Sequence, residues 1–379
     1  MKKVAFFSGF YLPFLGGIER YTYNISKKLV ERGYEVLIVT SQHEDSLPSL
    51  EIVDGLKIYR LPIKNIWKSR YPFLKKNKTY HELIEKIKEE NIDYFISNTR
   101  FQLPAILGAK MARDLGKEAI VIEHGTTYLT LNNRLLDFIL HKIEKSLINR
   151  MKKLTSKFYG VSQEASNWLK EFGVDASGVL YNAVDCKDYE KFHRVSADSK
   201  ILISYSGRLQ AQFKGIETLL AAFTDISSKA DDIELVIAGD GPIYQDLVQQ
   251  YSYNKNIKFL GKVSHDEVMK LNNDSDIFVL LSKIEGFSTS MIEAAMMENV
   301  IITTDVGGAR ELIPDSRYGF IIENSKEALV QTLNEILNHK REAKEMQKLV
   351  SQRVLDNFTW DKTADTLENV FLHMEDNES

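Results

Sequence analysis

The sequence predicts an α/β protein built from two doubly wound parallel sheets. Three observations carry that prediction. Short apolar runs alternate with helical periods along nearly the whole chain, the grammar of βαβ units. Many of the apolar runs end in a glycine turn: GFYLPFLGG, SGRL, AGDGP, VGGARE. The grammar also restarts at Lys200. A length of 379 residues fits two domains at ~150 residues each, with residues 1–185 forming the first and 186–359 the second.

Val4–Ser8 reads as a buried strand, Ile18 to Glu31 as a helix ended by Arg32-Gly33, and Glu35–Thr40 as the next strand. Gly16-Gly17 at the helix start lets backbone approach a ligand without a Cβ in the way. This is not the G-x-G-x-x-G dinucleotide fingerprint, and no acid closes the second strand, which argues against an NAD-dependent oxidoreductase. Helices at Tyr80–Glu90 and Pro104–Leu115 alternate with strands at Tyr94–Ser97 and Ala119–Glu123. The last strand delivers His124-Gly125 at its carboxyl end, where ligands bind in doubly wound sheets. From position alone His124 is equally a structural or a functional histidine.

In the second half, strand Ile201–Tyr205 leads into Ser206-Gly207-Arg208, and Lys214-Gly215 opens a helix. Two cations flanking one turn suit a diphosphate, since arginine can grip two oxygens at once. Strands Ile233–Ala238 and Ile257–Leu260 follow, each with a glycine turn; the first turn carries Gly241 before Pro242. Asp274-Ser275-Asp276 matches a metal-binding D-x-D pattern but precedes a strand, the wrong edge for a ligand, and reads as a connection. The stretch from Leu280 to Leu312 is the richest. After strand Ile277–Leu281, Glu285 lies in a turn; Phe287, Ser288 and Thr289 open a helix, and Glu293 sits inside it. A helix start attracts phosphate, and ionised carboxylates accept from hydroxyls. Strand Phe320–Ile322, helices from Lys326 to Asn357 and a helix after Trp360 to His373 complete the chain, with a polar tail from Glu375.

Composition excludes several classes. A net charge of -4 gives no global pull toward nucleic acid. One cysteine, Cys186, allows neither an intrachain disulfide nor a cysteine zinc cluster. No metal-ligating cluster and no cofactor are expected. The start lacks a signal-peptide cleavage site and no run reaches ~18 apolar residues, so a cytoplasmic protein is expected. Two segments are basic. Residues 57–78 mix Arg60, Lys64, Lys68, Arg70, Lys75 and Lys76 with aromatics and no acid, and 135–157 reads as one long helix bearing Lys142, Lys145, Arg150, Lys152 and Lys153. Both are either solvated faces or an attachment surface for anionic lipid on the inner face of the plasma membrane.

With these motifs in order, together with Asn182-Ala183-Val184-Asp185, the chain resembles the family 4 glycosyltransferases, retaining enzymes of the GT-B fold. The stretch EGFSTSMIEAA is most similar to members that build bacterial capsule, O-antigen or related surface polysaccharides. The resemblance implies two Rossmann-like domains facing across a cleft, with the helix of 360–379 crossing back to the N-terminal domain. It implies a UDP- or GDP-sugar as donor and a glycan or lipid-linked saccharide as acceptor. Arg208 and Lys214 would bind the diphosphate, and backbone at Gly16, Gly17, Gly241 and Phe287–Thr289 would approach the donor. Glu293 would hold the ribose, Glu285 the sugar hydroxyls, and His124 would lie against the sugar; His124, Arg208, Lys214 and Glu285 form the catalytic set. Ala183 and Asn299 depart from the family's usual glycines, both at turns. The implied reaction is metal-independent hexose transfer with retention. The rivals are a nucleotide-sugar epimerase on the same fold and a non-catalytic protein that only binds nucleotide sugar as a partner in a complex.

Overall fold

The computed structural model describes residues 1–14, 16–64, 71–193, 200–211, 213–228 and 232–378. They form two compact units, Met1–Tyr181 with Trp360–Ser379, and Asn182–Thr359.

The first unit contains β1 (Lys3–Phe7), α1 (Gly17–Glu31), β2 (Glu35–Gln42), β3 (Leu50–Val53), β4 (Leu56–Lys64), β5 (Phe73–Leu74) and α2 (Lys78–Glu89). Then come β6 (Tyr94–Asn98), α3 (Leu103–Asp114), β7 (Ala119–Glu123), α4 (Arg134–Met151), β8 (Lys157–Gly160), α5 (Gln163–Trp168) and β9 (Gly178–Val179). Its sheet runs β3-β4-β2-β1-β6-β7-β8-β9, with β5 paired to β4. The pairs are parallel except those of β3 and β5 with β4. β1, β6 and β7 are buried along nearly their whole length, because helices cover both faces of a parallel sheet. That is why they read as continuous apolar runs.

In the second unit α6 (Cys186–Phe192) precedes β10 (Ile201–Ser206), α7 (Ile216–Ser227), β11 (Ile233–Ala238), α8 (Tyr244–Tyr251) and β12 (Ile257–Gly261). They are followed by α9 (His265–Asp274), β13 (Ile277–Leu280), α10 (Thr289–Met296), β14 (Val300–Thr303), α11 (Ala309–Leu312) and β15 (Phe320–Ile321). α12 (Lys326–Asn338) and α13 (Lys340–Asn357) complete it. The sheet is fully parallel in the order β12-β11-β10-β13-β14-β15, the doubly wound arrangement whose strand order reverses beside its first strand. Asp274-Ser275-Asp276 is a helix-to-strand connection, and Asp276 Oδ2 accepts from the Leu202 N–H at 2.9 Å. The last helix, α14 (Trp360–Glu378), returns to the first unit, where Phe371 stacks on Tyr94 with ring centroids 3.9 Å apart.

Three expectations are corrected. The basic segment 57–78 is not one exposed surface: Arg60 lies in β4, 1% exposed and paired with Glu51 at 2.6 Å, and Lys57 pairs with Glu90. Lys64, Lys75 and Lys76 are exposed, whereas Lys68 and Arg70 lie outside the described residues. The helix read over 135–157 stops at Met151, because Thr155 and Ser156 turn the chain into β8 through their bonds to Glu118 and Ala119. And α14 continues past His373 to Glu378, where Glu375 pairs with Lys2 at 3.0 Å and with Tyr94.

Candidate active site

The strand order of the second unit reverses between β10 and β13, and the loops leaving those two strands meet. Lys214, before α7, donates to Glu285 Oε1 at 2.5 Å, and Ser282 Oγ donates to the same oxygen at 2.6 Å. The Lys283 N–H bonds the Phe213 carbonyl at 2.8 Å, which clamps one loop on the other. A doubly wound sheet binds ligands at the carboxyl ends of its strands where the order reverses, and the Lys214–Glu285 pair stands there. Arg208 follows β10 with its side chain exposed and pairs with no carboxylate among the described residues. It is a cation open to an anionic ligand.

The α10 start lies next in the chain. Ser288 caps it, accepting from the Met291 N–H, and Asn182 Nδ2 donates to both the Phe287 carbonyl and Thr289 Oγ1 at 2.8 Å. Sequence reading placed Asn182 in a motif but gave it no task; here it braces the helix start. Gly308 closes the other side, since a Cβ there would lie 2.2 Å from the Phe287 ring. Glu293 is buried in α10, and His265 Nδ1 lies 3.7 Å from its Oε1 while Nε2 faces Asp188 Oδ2 at 2.8 Å. His265 and Asp188 escaped sequence analysis because nothing local marks them; only folding brings them to Glu293. Gly241 answers a packing demand, because a Cβ there would come 2.1 Å from the Leu209 carbonyl oxygen.

In the first unit the order reverses between β1 and β6, and Gln102 ties the two ends by accepting from the Gly9 N–H at 2.8 Å. Gly16 is the residue before α1, and a Cβ on it would meet Glu19 Oε2 at 2.4 Å; a Cβ on Gly17 would meet nothing within 4 Å. Backbone at Gly17 is therefore open to a ligand. Glu19, unmarked by the sequence, is buried in the first turn, and desolvation raises its carboxyl to about 7.

His124 follows β7, half-buried, with its ring edge-on to Tyr21 at 4.9 Å. Its Nε2 lies 3.1 Å from Asn98 Oδ1 at the end of β6. Burial lowers its pKa to about 3, so the imidazole is neutral near pH 7. Among the described residues no group of three or more His, Cys, Asp or Glu could hold a metal ion.

Known proteins are similar to this chain in sequence and in fold. A family model described as "Glycosyl transferases group 1" matches residues 187–353, and one described as "Glycosyltransferase Family 4" matches residues 15–188. The chain belongs to the family 4 glycosyltransferases. The phosphatidylinositol N-acetylglucosaminyltransferase GPI3 subunit of Saccharomyces cerevisiae is 28% identical to this glycosyltransferase over 351 residues, 89% of this chain and 75% of that one. A phosphatidylinositol N-acetylglucosaminyltransferase subunit of Homo sapiens is 25% identical over 383 residues, 97% of this chain and 75% of its own length. Sucrose-phosphate synthase from Thermosynechococcus elongatus superposes with a TM-score of 0.75 at 18% identity, covering 100% of both chains. The fold is that of the GT-B glycosyltransferases, and the protein is a glycosyltransferase.

Proposed function

We propose that this glycosyltransferase moves N-acetylglucosamine from a nucleotide diphosphate sugar to a lipid-linked acceptor at a membrane surface, with retention and without a metal ion. The observation that carries the donor assignment is the Lys214–Glu285 pair at the sheet's reversal point. Cleaving the bond from sugar to diphosphate leaves extra negative charge on the phosphates. Lys214 has three donors, so it serves an incoming diphosphate while Glu285 accepts from a sugar hydroxyl. Arg208 and the α10 start add fixed positive charge, which is electrostatic preorganisation. Glu293 takes the ribose hydroxyls. No protein nucleophile is assigned: the acceptor attacks from the side the diphosphate leaves, and a phosphate oxygen takes its proton.

The sugar and the lipid acceptor are supported by the names of the yeast and human relatives, both phosphatidylinositol N-acetylglucosaminyltransferase subunits. Hexose transfer in surface-polysaccharide synthesis is the second reading, favoured by the EGFSTSMIEAA stretch. For membrane contact the supporting surface is α4. Leu135, Phe138, Ile139 and Ile143 project from it into solvent, Phe138 at 61% exposure, and the Lys142 ammonium lies 5.4 Å from the Phe138 ring centroid. An apolar stripe edged by cations suits an anionic lipid surface. Among the described residues no helix is long and apolar enough to cross a membrane.

The decisive experiment incubates purified protein with a panel of UDP- and GDP-sugars and measures nucleotide release and thermal stabilisation. UDP-N-acetylglucosamine should stabilise the protein and be hydrolysed slowly. Lys214→Ala should weaken donor binding at least tenfold, as expected for loss of a charge-assisted contact worth about 1.5–3 kcal/mol. Silence across the panel, or unchanged affinity in the variant, defeats the proposal.

A further inference from the structure

Behind His124 runs a directed chain of hydrogen bonds. Thr22 Oγ1 donates to the Ile18 carbonyl, one turn back in α1, at 2.7 Å. That hydroxyl has spent its proton, so it accepts from Asn98 Nδ2, also at 2.7 Å. The Asn98 amide is thereby oriented, and its oxygen faces His124 Nε2 at 3.1 Å. An amide oxygen can only accept, so Nε2 must carry the imidazole proton. Thr22 and Asn98 are both fully buried, and Tyr21 packs edge-on against the ring. Every step follows from the helix carbonyl at the far end of the chain.

We propose that Thr22 and Asn98 are positioning residues that hold His124 as its Nε2–H tautomer, leaving Nδ1 as a lone-pair acceptor for a hydroxyl or amide N–H of the sugar. This rests on the sugar-donor reading above. His124 is then neither general acid nor general base, and it discriminates: a ligand group that only accepts, such as a carboxylate, meets a lone pair and is refused. Burial holds its pKa down. The neighbouring Glu123 is occupied by the Gly125 N–H at 2.8 Å and by Arg100 at 2.8 Å, so it supplies no proton to the ring.

The test is the two-bond proton–nitrogen spectrum of the full chain labelled with nitrogen-15 histidine, with His124 assigned by the signals missing in His124→Gln. The wild type should show the Nε2–H tautomer from about pH 5 to pH 8, across the range where a free imidazole titrates. Asn98→Ala should yield mixed tautomers, and Asn98→Asp should convert the ring to imidazolium by placing a carboxylate against it. Thr22→Ser should behave as wild type and Thr22→Val as Asn98→Ala. An Nδ1–H tautomer or an imidazolium in the wild type at pH 7 overturns the proposal, as does an Asn98→Ala spectrum identical to wild type. With an active donor, Asn98→Ala should lower kcat/KM roughly five- to thirtyfold while leaving affinity for the free nucleotide unchanged. If no sugar nucleotide is turned over but the tautomer is as stated, the donor reading fails and the assignment of Thr22 and Asn98 stands.

Discussion

Glu19 shows how one side chain can oppose the fold that holds it. Its carboxyl is buried in the first turn of α1 and raised to about 7 by desolvation, whereas in the unfolded chain it titrates near 4.3. The folded state therefore binds the proton more tightly. Stability from this group is complete below the unfolded value and is lost as pH rises through about 7. Glu19→Gln, which keeps the shape without the charge, should match wild type at about pH 4 and exceed it by roughly 1–3 kcal/mol at pH 8. Urea unfolding at the two pH values measures this; equal stability at pH 8 refutes it. At this scale the sequence singled out Lys214, Glu285 and His124, because each lies in a turn that follows a strand, and Glu293, in the helix that the Glu285 turn leads into. It concealed Glu19, Thr22 and Asn98, whose roles depend on burial and on partners up to 76 positions away.

Among the elements, α4 has two unlike faces. Inward, Glu144 accepts from Arg100 at 3.1 Å and from the Leu129 N–H at 3.1 Å, and Arg100 also grips Glu123 at 2.8 Å. All three charged residues are 1% exposed, so the helix, the end of β7 and the loop after His124 are fastened through one guanidinium. Arg100→Met removes one partner and strands two carboxylates, which should cost about 3–5 kcal/mol, read as a lower unfolding midpoint; a change below about 1 kcal/mol would mean water replaces the pair. Outward, Phe138 and Ile139 are exposed, and the proposed lipid contact falls on them. The double change Phe138→Asp with Ile139→Asp should abolish co-sedimentation with phosphatidylglycerol vesicles and leave soluble-donor hydrolysis intact. Retained vesicle binding would dismiss the surface. Charge hid two strands here: β4 carries Lys57 and Arg60, which mask its apolar alternation, and β8 begins at Lys157, which continued the basic run of the helix before it. β1, β2, β6, β7, β10, β11 and β13 were legible since burial leaves them almost uniformly apolar, whereas β3, β5 and β9 are short and at most partly buried, and left no such run.

At the scale of the whole molecule, α14 belongs to the first unit although the second lies between them in the chain. Arg32 pairs with Asp365 at 2.8 Å and with Glu368, but partly exposed ion pairs contribute at most about 1 kcal/mol. Apolar contact decides the docking: Phe371 is buried against Tyr94, and Trp360 meets Tyr21 edge-on at 5.2 Å. Phe371→Ala should therefore cost about 3–5 kcal/mol, far more than Arg32→Ala, in calorimetric unfolding of the full chain. Equal effects would place the anchoring in the charges instead. The crossing has a further consequence for biosynthesis. A ribosome making this enzyme finishes every strand of the first sheet early, then makes all of Asn182–Thr359 before supplying the helix that covers Tyr21 and Tyr94. At ~5–20 residues per second that wait lasts on the order of ten to forty seconds. The first unit spends it with an aromatic face unsheltered, until α14 is made.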